Sequence, residues 1–186
     1  MDADGSDPVR LTDNDLPEIH PYWFPDGSRI VFNRRVAGER RYDIRGTYVD
    51  GTDQRAILQD DDLNSYAQVS PDGVRIVFDK WMDSEGENGE IHVLHLESGR
   101  LDRLTDNDVY DGYPAWFPDG EWIVYASEVD ELFKLFRIRA DGTGREQITF
   151  GAGSDAHPNV SPDGRRIVFN RDVDGNINVH VLTLEK

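Results

Sequence analysis

Two histidines and two tyrosines recur at one position of a repeated pattern, and they are the side chains best placed to bind a ligand. The position lies five residues before a Pro-Asp-Gly tripeptide and holds His20, Tyr66, Tyr113 and His157. The position seven residues before it holds Glu18, Asn64, Asp111 and Asp155. Imidazole with carboxylate oxygens suits zinc, manganese, nickel or iron, whereas oxygen ligands without histidine suit calcium. The repeat therefore predicts a candidate cation site.

The tripeptide that marks these positions divides the chain into four similar units. It occurs at 25–27, 71–73, 118–120 and 162–164, each time ahead of an Ile-Val-Phe or Ile-Val-Tyr run. Proline presets φ, aspartate bonds to nearby backbone and glycine takes positive φ, so the tripeptide predicts a tight turn between two strands. Successive turns are 46, 47 and 44 residues apart, a period typical of propeller blades. We predict one all-β domain over residues 1–186, a propeller of four four-stranded antiparallel blades.

The two ends of the chain complement each other. The fourth unit stops without its last strand, and residues 8–12 (Pro-Val-Arg-Leu-Thr) carry the pattern of that strand. We expect them to complete the C-terminal blade and close the ring, which would remove the unpaired sheet edges.

A second regularity pairs alternate units. Units one and three share Trp-Phe-Pro-Asp-Gly, and units two and four share Val-Ser-Pro-Asp-Gly. We expect Trp23 and Trp116 to pack between blades, and we predict a monomer with a dimer of two half-rings as the alternative.

These motifs resemble the repeat of the TolB-like beta-propeller family. Its unit runs from Leu-Thr through a polar loop to Pro-x-Trp-Ser-Pro-Asp-Gly, and then into an apolar strand. Matching segments are Leu11-Thr12, 21–27, Leu104-Thr105, 114–120, Ile148-Thr149 and 158–164. The resemblance covers nearly the whole chain. It implies a propeller used mainly as a binding or scaffolding surface, although propellers of this family usually carry six or more blades.

The innermost strand of each blade lines the channel of a propeller, so the repeat positions predict a ring of side chains. In a closed ring His20 and His157 would be neighbours, with Glu18, Asp111 and Asp155 at one mouth. This set could hold a divalent cation. The alternative is that the four rings of the histidines and tyrosines only fill the channel.

Trp81 is a further candidate, since we expect it on an exposed loop between two strands. There it could contact a sugar or a peptide, or simply cap a hairpin.

The amino-acid composition limits the kinds of partner that the protein could bind. The net charge is −17, with 26 Asp, 11 Glu, 17 Arg and 3 Lys, so binding to nucleic acid is disfavoured. A basic protein partner, bound cations or solubility in high salt each fit this charge, and its spread over all four units favours the last.

Cysteine is absent, which excludes disulfides and thiolate chemistry. No apolar run approaches the ~20 residues that span a bilayer, so membrane insertion is not predicted. We expect a cytoplasmic protein if the chain is complete, and a periplasmic or extracellular one if a leader has been removed.

No catalytic motif is present. The sequence has neither a Gly-x-Ser-x-Gly elbow nor a His-Glu-x-x-His pair nor a phosphate-binding glycine loop. We therefore predict no catalytic residue and a binding or scaffold propeller that engages a protein or peptide through a loop-rich face. The alternative is a cation-binding propeller with a channel site of histidines and carboxylates, in the form of a metal-dependent lyase or hydrolase.

Overall fold

A computed structural model describes residues 6–82 and 88–184 of the chain. It is all-β, and its fifteen strands form four antiparallel sheets in chain order. The first blade contains β1 (Glu18–Trp23), β2 (Arg29–Arg35), β3 (Tyr42–Tyr48) and β4 (Arg55–Leu58). The second contains β5 (Leu63–Val69), β6 (Arg75–Trp81), β7 (Gly89–His95) and β8 (Leu101–Arg103).

The third blade contains β9 (Asp111–Trp116), β10 (Trp122–Val129), β11 (Leu132–Arg139) and β12 (Glu146–Gln147). The fourth has three strands, β13 (Ser154–Val160), β14 (Arg166–Val173) and β15 (Asn176–Thr183). The predicted propeller of four blades is confirmed. No helix that could cross a membrane occurs in the described parts of the chain.

The Pro-Asp-Gly tripeptides form the turns between the first two strands of each blade. In the first turn the Gly27 N–H donates to the Phe24 carbonyl at 2.9 Å, and the Asp26 carboxylate accepts from the Ser28 N–H at 3.0 Å. Gly27 has φ of 68°, which glycine adopts at little cost. The same bonding recurs in the other three turns, so the motif fixes the hairpin wherever it occurs.

Apolar side chains fill the junctions between consecutive blades. The junction of blades 2 and 3 holds a buried cluster that includes Ile91, Val93, Trp116 and Ile123. Similar clusters fill the junctions of blades 1 and 2 and of blades 3 and 4. The packed core of this protein is therefore three layers between sheets, which hold the inner strands at fixed positions around the axis.

The ends of the array do not meet. No Cα atom of β13–β15 lies within 8 Å of one in β1–β4. The prediction that residues 8–12 complete the C-terminal blade is therefore wrong for the described chain. They form no strand and lie beside the first blade, where Gln54 Nε2 donates to the Leu11 carbonyl at 3.0 Å. The sequence pattern identifies a strand but not the angle between blades, and that angle decides whether a ring closes.

Candidate ligand-binding site

The four repeated histidines and tyrosines share an unusual backbone conformation. Each sits at an irregularity in the pairing of the inner strand, and each has positive φ, between 51° and 56°: His20, Tyr66, Tyr113 and His157. Positive φ is uncommon outside glycine, and a bulge redirects the side chain at the site where it occurs. Its fourfold recurrence shows that the repeat encodes the bulge, which turns one ring per blade toward the axis.

The predicted ring of side chains does assemble. His20 stacks on Tyr66 with ring centroids 3.9 Å apart, Tyr66 meets Tyr113 edge to face at 4.7 Å, and Tyr113 lies 4.2 Å from His157. Burial lowers the pKa of both histidines, which favours neutral imidazoles near neutral pH. Burial likewise raises the pKa of Tyr66 to about 12. The four rings form an uncharged floor across the channel.

The carboxylates of the predicted cation site are held elsewhere. Glu18 accepts from Arg34 Nε at 2.6 Å, Asp155 accepts from Arg171 Nε at 2.6 Å, and Asp111 accepts from Asn107 Nδ2 at 2.8 Å.

No group of three or more His, Asp or Glu side chains in residues 6–82 and 88–184 is arranged to hold a metal ion. The structure thus brings His20 and His157 to the same ring but does not add the carboxylates to it. A channel cation remains a prediction.

A larger cavity opens on one side of this ring, between blades 1 and 2. Its volume is about 1000 Å³. The loop after β2, the loop after β4 and the end of β6 form its walls, and Tyr66 and Tyr113 of the channel ring contribute to its lining. Arg41, Asp79, Trp81 and Tyr110 all line the cavity.

Asp79 is the buried acid of this cavity. The residue is fully buried in β6, and its Oδ2 accepts from Trp81 Nε1 at 2.9 Å and from the Tyr110 hydroxyl at 3.2 Å. Its Oδ1 is buried and has no hydrogen-bond partner. Burial raises the pKa of Asp79 to about 6, and hydrogen bonds from Trp81, from its own backbone and from Tyr110 only partly oppose this shift. A carboxylate with one unused oxygen is costly in a protein interior, so this group stands out as a site for a ligand.

Tyr110 reaches Asp79 because two glycines leave room for its ring. A Cβ on Gly112 would lie 2.0 Å from the Tyr110 hydroxyl oxygen, and a Cβ on Gly89 would lie 2.7 Å from the ring. Neither glycine has positive φ, so space is the reason for glycine at both positions. The ring is then stacked on Trp81 at 4.7 Å between centroids. Two aromatic side chains in contact with each other therefore bond to one oxygen of Asp79 and leave the other without a partner.

Trp81 differs from the expectation of an exposed loop residue. It ends β6 and is partly buried, because its indole bonds to Asp79 and its face packs on Tyr110. Most of the polar insertion that follows it, residues 83–87, lies outside the described part of the chain.

Charges of both signs surround the cavity mouth. Arg41 pairs with Glu39 and lies 3.9 Å from Asp61, and Arg35 Nε donates to the Glu39 carbonyl at 3.1 Å. Lys80 pairs with Asp60 and with Asp62, which itself lines the cavity. The lining is thus polar and mixed in charge, and it includes the buried acid Asp79.

The sequence contains a signal for Asp79, which appears when the four repeats are compared for their differences and not for what they share. The residue after each Ile-Val-aromatic run is Asn33, Asp79, Ala126 or Asn170. Only blade 2 places a carboxylate there. In blade 1 the same position is structural, since Asn33 Nδ2 donates to the Asn64 carbonyl at 3.0 Å across the blade junction. The acid at this position, in place of the asparagine of blades 1 and 4 or the alanine of blade 3, marks the cavity.

Comparison with known proteins fits this architecture. The family model of the TolB beta propeller domain, PD40, matches residues 1–186. The chain belongs to the TolB beta-propeller family. This confirms the resemblance carried by the Leu-Thr and Pro-Asp-Gly motifs.

Two relatives illustrate the match. The TolB homolog of Chlorobium luteolum is 30% identical over 159 residues, which are 85% of this chain and 35% of the homolog. The crystal structure of TolB from Acinetobacter baumannii superposes with a TM-score of 0.83 at 23% identity, over 97% of this chain and 44% of that one. This TolB-family chain spans less than half the length of either protein.

Enzymes share the fold as well. An oligogalacturonate lyase in complex with manganese superposes with a TM-score of 0.69 at 14% identity, over 93% of this chain and 52% of that one. At this identity the likeness concerns the fold alone.

Proposed function

We propose that this TolB-family propeller binds a protein partner on the face that carries the cavity, and that the cavity receives a lysine or arginine side chain of that partner. The observation that carries the proposal is that Asp79 lines the cavity and that its buried Oδ1 has no hydrogen-bond partner. An incoming ammonium or guanidinium group would supply the missing donor.

The aromatic residues suit the same ligand. Trp81 and Tyr110 pack against each other, both bond to Oδ2 of Asp79 and both line the cavity, and cations are attracted to the faces of such rings within about 6 Å. A desolvated acid with aromatic walls therefore favours a cation over a neutral or acidic group. A lysine or arginine stem would also bury its methylenes against the rings.

The charge of the whole molecule supports a basic partner. A net charge of −17 accelerates the approach of cationic surfaces and opposes acidic ones. The mixed mouth, where Arg41 is already paired with Glu39 and lies near Asp61, can align the flanking peptide. Selection for the cation would come from the buried acid.

The state of Asp79 makes binding depend on pH. With a pKa of about 6, the side chain is mostly neutral at pH 5 and mostly ionised at pH 7.5. A cationic ligand should therefore bind more tightly as pH rises through 6, since it favours the ionised form.

The test uses defined probes in place of an unidentified partner. N-acetyl-arginine methylamide and N-acetyl-lysine methylamide would be titrated into the protein at pH 7.5, with N-acetyl-norleucine methylamide as the uncharged analogue. We expect saturable shifts of the Trp81 indole N–H resonance with the two cations, and at least a tenfold weaker effect with norleucine.

Variants locate the site. Asp79→Asn should reduce binding of the cationic probes by about tenfold or more, the loss of one charge-assisted hydrogen bond. Glu97→Gln makes the same charge change at an exposed position in a turn outside the cavity and should leave binding unchanged. Equal binding of norleucine, or an unchanged affinity in Asp79→Asn, would overturn the proposal. If only a neutral oligosaccharide shifted the Trp81 resonance, the ligand would be a sugar and not a peptide.

A further inference from the structure

A second cavity, the Arg29 cavity, lies between blades 1 and 2 at the other end of their strands from the cavity of Asp79. Its volume is about 300 Å³, at the lower end of the range for small-molecule sites. Arg29 lines it at the start of β2, whereas Arg35 lines the cavity of Asp79 at the end of the same seven-residue strand. Such a strand is roughly 20 Å long, so the two cavities are separate.

Apolar side chains form much of the wall of the Arg29 cavity. Phe24 and Ile57 come from blade 1, and Leu94 and Leu96 come from blade 2. All four belong to the packed layer between these two blades or contact it, so the core holds the wall in place. A fixed apolar wall favours a ligand that has a compact apolar body.

The charged side chains of this cavity are basic. Arg29, Arg55 and His95 line it, and no Asp or Glu is among the described residues that do so. This reverses the character of the whole molecule, whose net charge is −17. At physiological salt, charges further away than about 8 Å are largely screened. The two guanidinium groups therefore determine which ligand charge the cavity accepts.

Arg29 has donors that no protein group uses. Its guanidinium lies over the Phe24 ring, 4.1 Å from the centroid. It forms no hydrogen bond or salt bridge to another residue in the described ranges, and its attraction to the exposed Asp26 acts over a longer distance. A guanidinium carries five N–H donors, so water or a ligand must satisfy them inside the cavity.

The equivalent positions of the next two blades show why Arg29 is free. Arg75 of blade 2 donates to a carbonyl of blade 3 at 2.9 Å and stacks over Trp116 at 4.8 Å from the ring centroid. Blade 3 has Trp122 at this position, and its ring packs against the apolar layer of blades 3 and 4. In blade 2 the counterpart of Trp116 is Val69, so Arg29 has no indole to stack on.

The other two basic side chains differ in how firmly they are held. Arg55 Nε lies 3.7 Å from Asp53 Oδ2, and both side chains are exposed. Exposed pairs of this kind contribute little to stability, so Arg55 can exchange the contact for a ligand. His95 Nε2 lies 2.8 Å from Asp102 Oδ2, which fixes the imidazole as part of the wall.

We propose that the Arg29 cavity binds a carboxylate carried on a compact apolar group. Arg29 and Arg55 hold the carboxylate, and the apolar wall contacts the remainder of the ligand. The planar fork of a guanidinium matches a carboxylate through two parallel hydrogen bonds. Inorganic phosphate would satisfy the fork but leave the apolar wall without a contact. Free organic acids and the C-terminus of a peptide that ends in an apolar residue both present this chemistry.

The test titrates N-acetyl-leucine into the protein at pH 7.5 and about 150 mM NaCl, and follows the Arg29 Nε–H resonance and the methyl resonances of Leu94 and Leu96. N-acetyl-leucine methylamide has the same apolar body without the charge, and acetate has the charge without the body. We expect saturable shifts with N-acetyl-leucine and at least tenfold weaker binding of either analogue. Equal binding of the methylamide, or of inorganic phosphate, would overturn the proposal.

Variants locate the carboxylate. Arg29→Gln should weaken the binding of N-acetyl-leucine by about tenfold or more, the loss of a charge-assisted hydrogen bond. Arg29→Lys keeps the charge but loses the fork, and should restore only part of the affinity. Arg165→Gln makes the same charge change at an exposed turn of blade 4 outside the cavity and should leave binding unchanged. An unchanged affinity in Arg29→Gln, or an equal loss in Arg165→Gln, would refute the assignment.

Two further ligands distinguish the sources of the carboxylate. Hexanoate represents a free organic acid, and N-acetyl-Ala-Ala-Leu represents the C-terminus of a peptide. Tighter binding of the tripeptide would assign the site to a peptide terminus, and tighter binding of hexanoate to a free acid. No binding of either would contradict the proposal. Asp79 does not line this cavity, so Asp79→Asn should bind N-acetyl-leucine normally even if the proposed binding of basic side chains fails.

Discussion

Trp116 and Trp23 occupy the same position in two copies of one motif, and their surroundings are opposite. Trp116 is 6% exposed in the junction of blades 2 and 3, whereas Trp23 is 59% exposed at the open side of blade 1. The expectation that both tryptophans pack between blades is therefore confirmed for Trp116 and wrong for Trp23. The motif fixes the local turn in both copies. Burial depends on the blade before it, which blade 1 lacks within the described chain.

This difference shows that one propeller repeat is not a complete structural unit, because its faces are buried only by neighbouring blades. Each blade is a sheet with two faces, and stability comes from the layers between sheets. The three formed layers are closely packed, and the two outer faces have the residues of a fourth. The junction of blades 2 and 3 therefore shows how much stability a blade face gains when another blade packs against it.

The sharpest way to test this comparison is to truncate the two tryptophans in turn. Trp116→Ala should destabilise the protein by about 3–5 kcal/mol, since it removes a large buried side chain and leaves a cavity. Trp23→Ala should change stability by less than about 1 kcal/mol in dilute solution, as for other exposed positions. Urea unfolding at about 1 µM protein, low enough to limit self-association, measures both.

Equal losses in the two variants would contradict the open arrangement. They would mean that blade 4 covers Trp23 in the same molecule, in a closed ring of four blades. The solution mass would then stay at that of one chain.

The repeat allowed much of the fold to be predicted, and the reason is local. Pro-Asp-Gly, the Ile-Val-aromatic run and the alternation in each strand are short-range signals, and they identified the hairpins and the number of blades. The alignment of repeats also placed His20, Tyr66, Tyr113 and His157 in one ring. Equivalent positions of the four repeats lie at the same distance from the propeller axis, so aligning the repeats was sufficient to predict this ring of side chains.

The cavity required information that the repeat does not contain. Tyr110 lies in the loop between blades, and it reaches Asp79 only because Gly89 and Gly112 leave space for its ring. That contact joins three separate segments of the chain. Glu18 and Asp155 lie close to the histidines in sequence and bond to arginines of the neighbouring strand, so a cation held by the histidines and these carboxylates stays a prediction.

Asp79 offers a comparison between a functional and a structural copy of one position. Blades 1 and 4 carry asparagine there, so Asp79→Asn introduces a side chain that the repeat already uses. The folded protein raises the pKa of Asp79 to about 6, above the value of about 3.9 in an unfolded chain. Between these values the folded state binds the extra proton, so the stability of the parent chain falls as pH rises from 4 to 6.

The stability of Asp79→Asn relative to the parent should therefore increase by up to about 3 kcal/mol between pH 4 and pH 7.5, from a shift of about two pH units at 1.36 kcal/mol each. Urea unfolding across this range measures the difference. Glu97→Gln, at an exposed site, should give a difference that hardly varies with pH. A flat profile for Asp79→Asn would mean that its carboxyl is not desolvated. Higher stability at neutral pH together with weaker binding of the cationic probes in Asp79→Asn would indicate that Asp79 is kept for the proposed binding.

The smallest effect concerns Arg75, which clamps the junction of blades 2 and 3, and its repeat equivalent Arg166. Arg75→Gln should cost about 1–2 kcal/mol, because it removes a hydrogen bond to the Gly120 carbonyl and the stacking on Trp116. Arg166→Gln should cost less than about 0.5 kcal/mol in dilute protein, where no first blade faces it. Urea unfolding of both variants measures the two costs. Equal costs would mean that Arg166 has contacts equivalent to those of Arg75 with Trp116 and Gly120, and the difference between the inner junction and the exposed face of blade 4 would not hold.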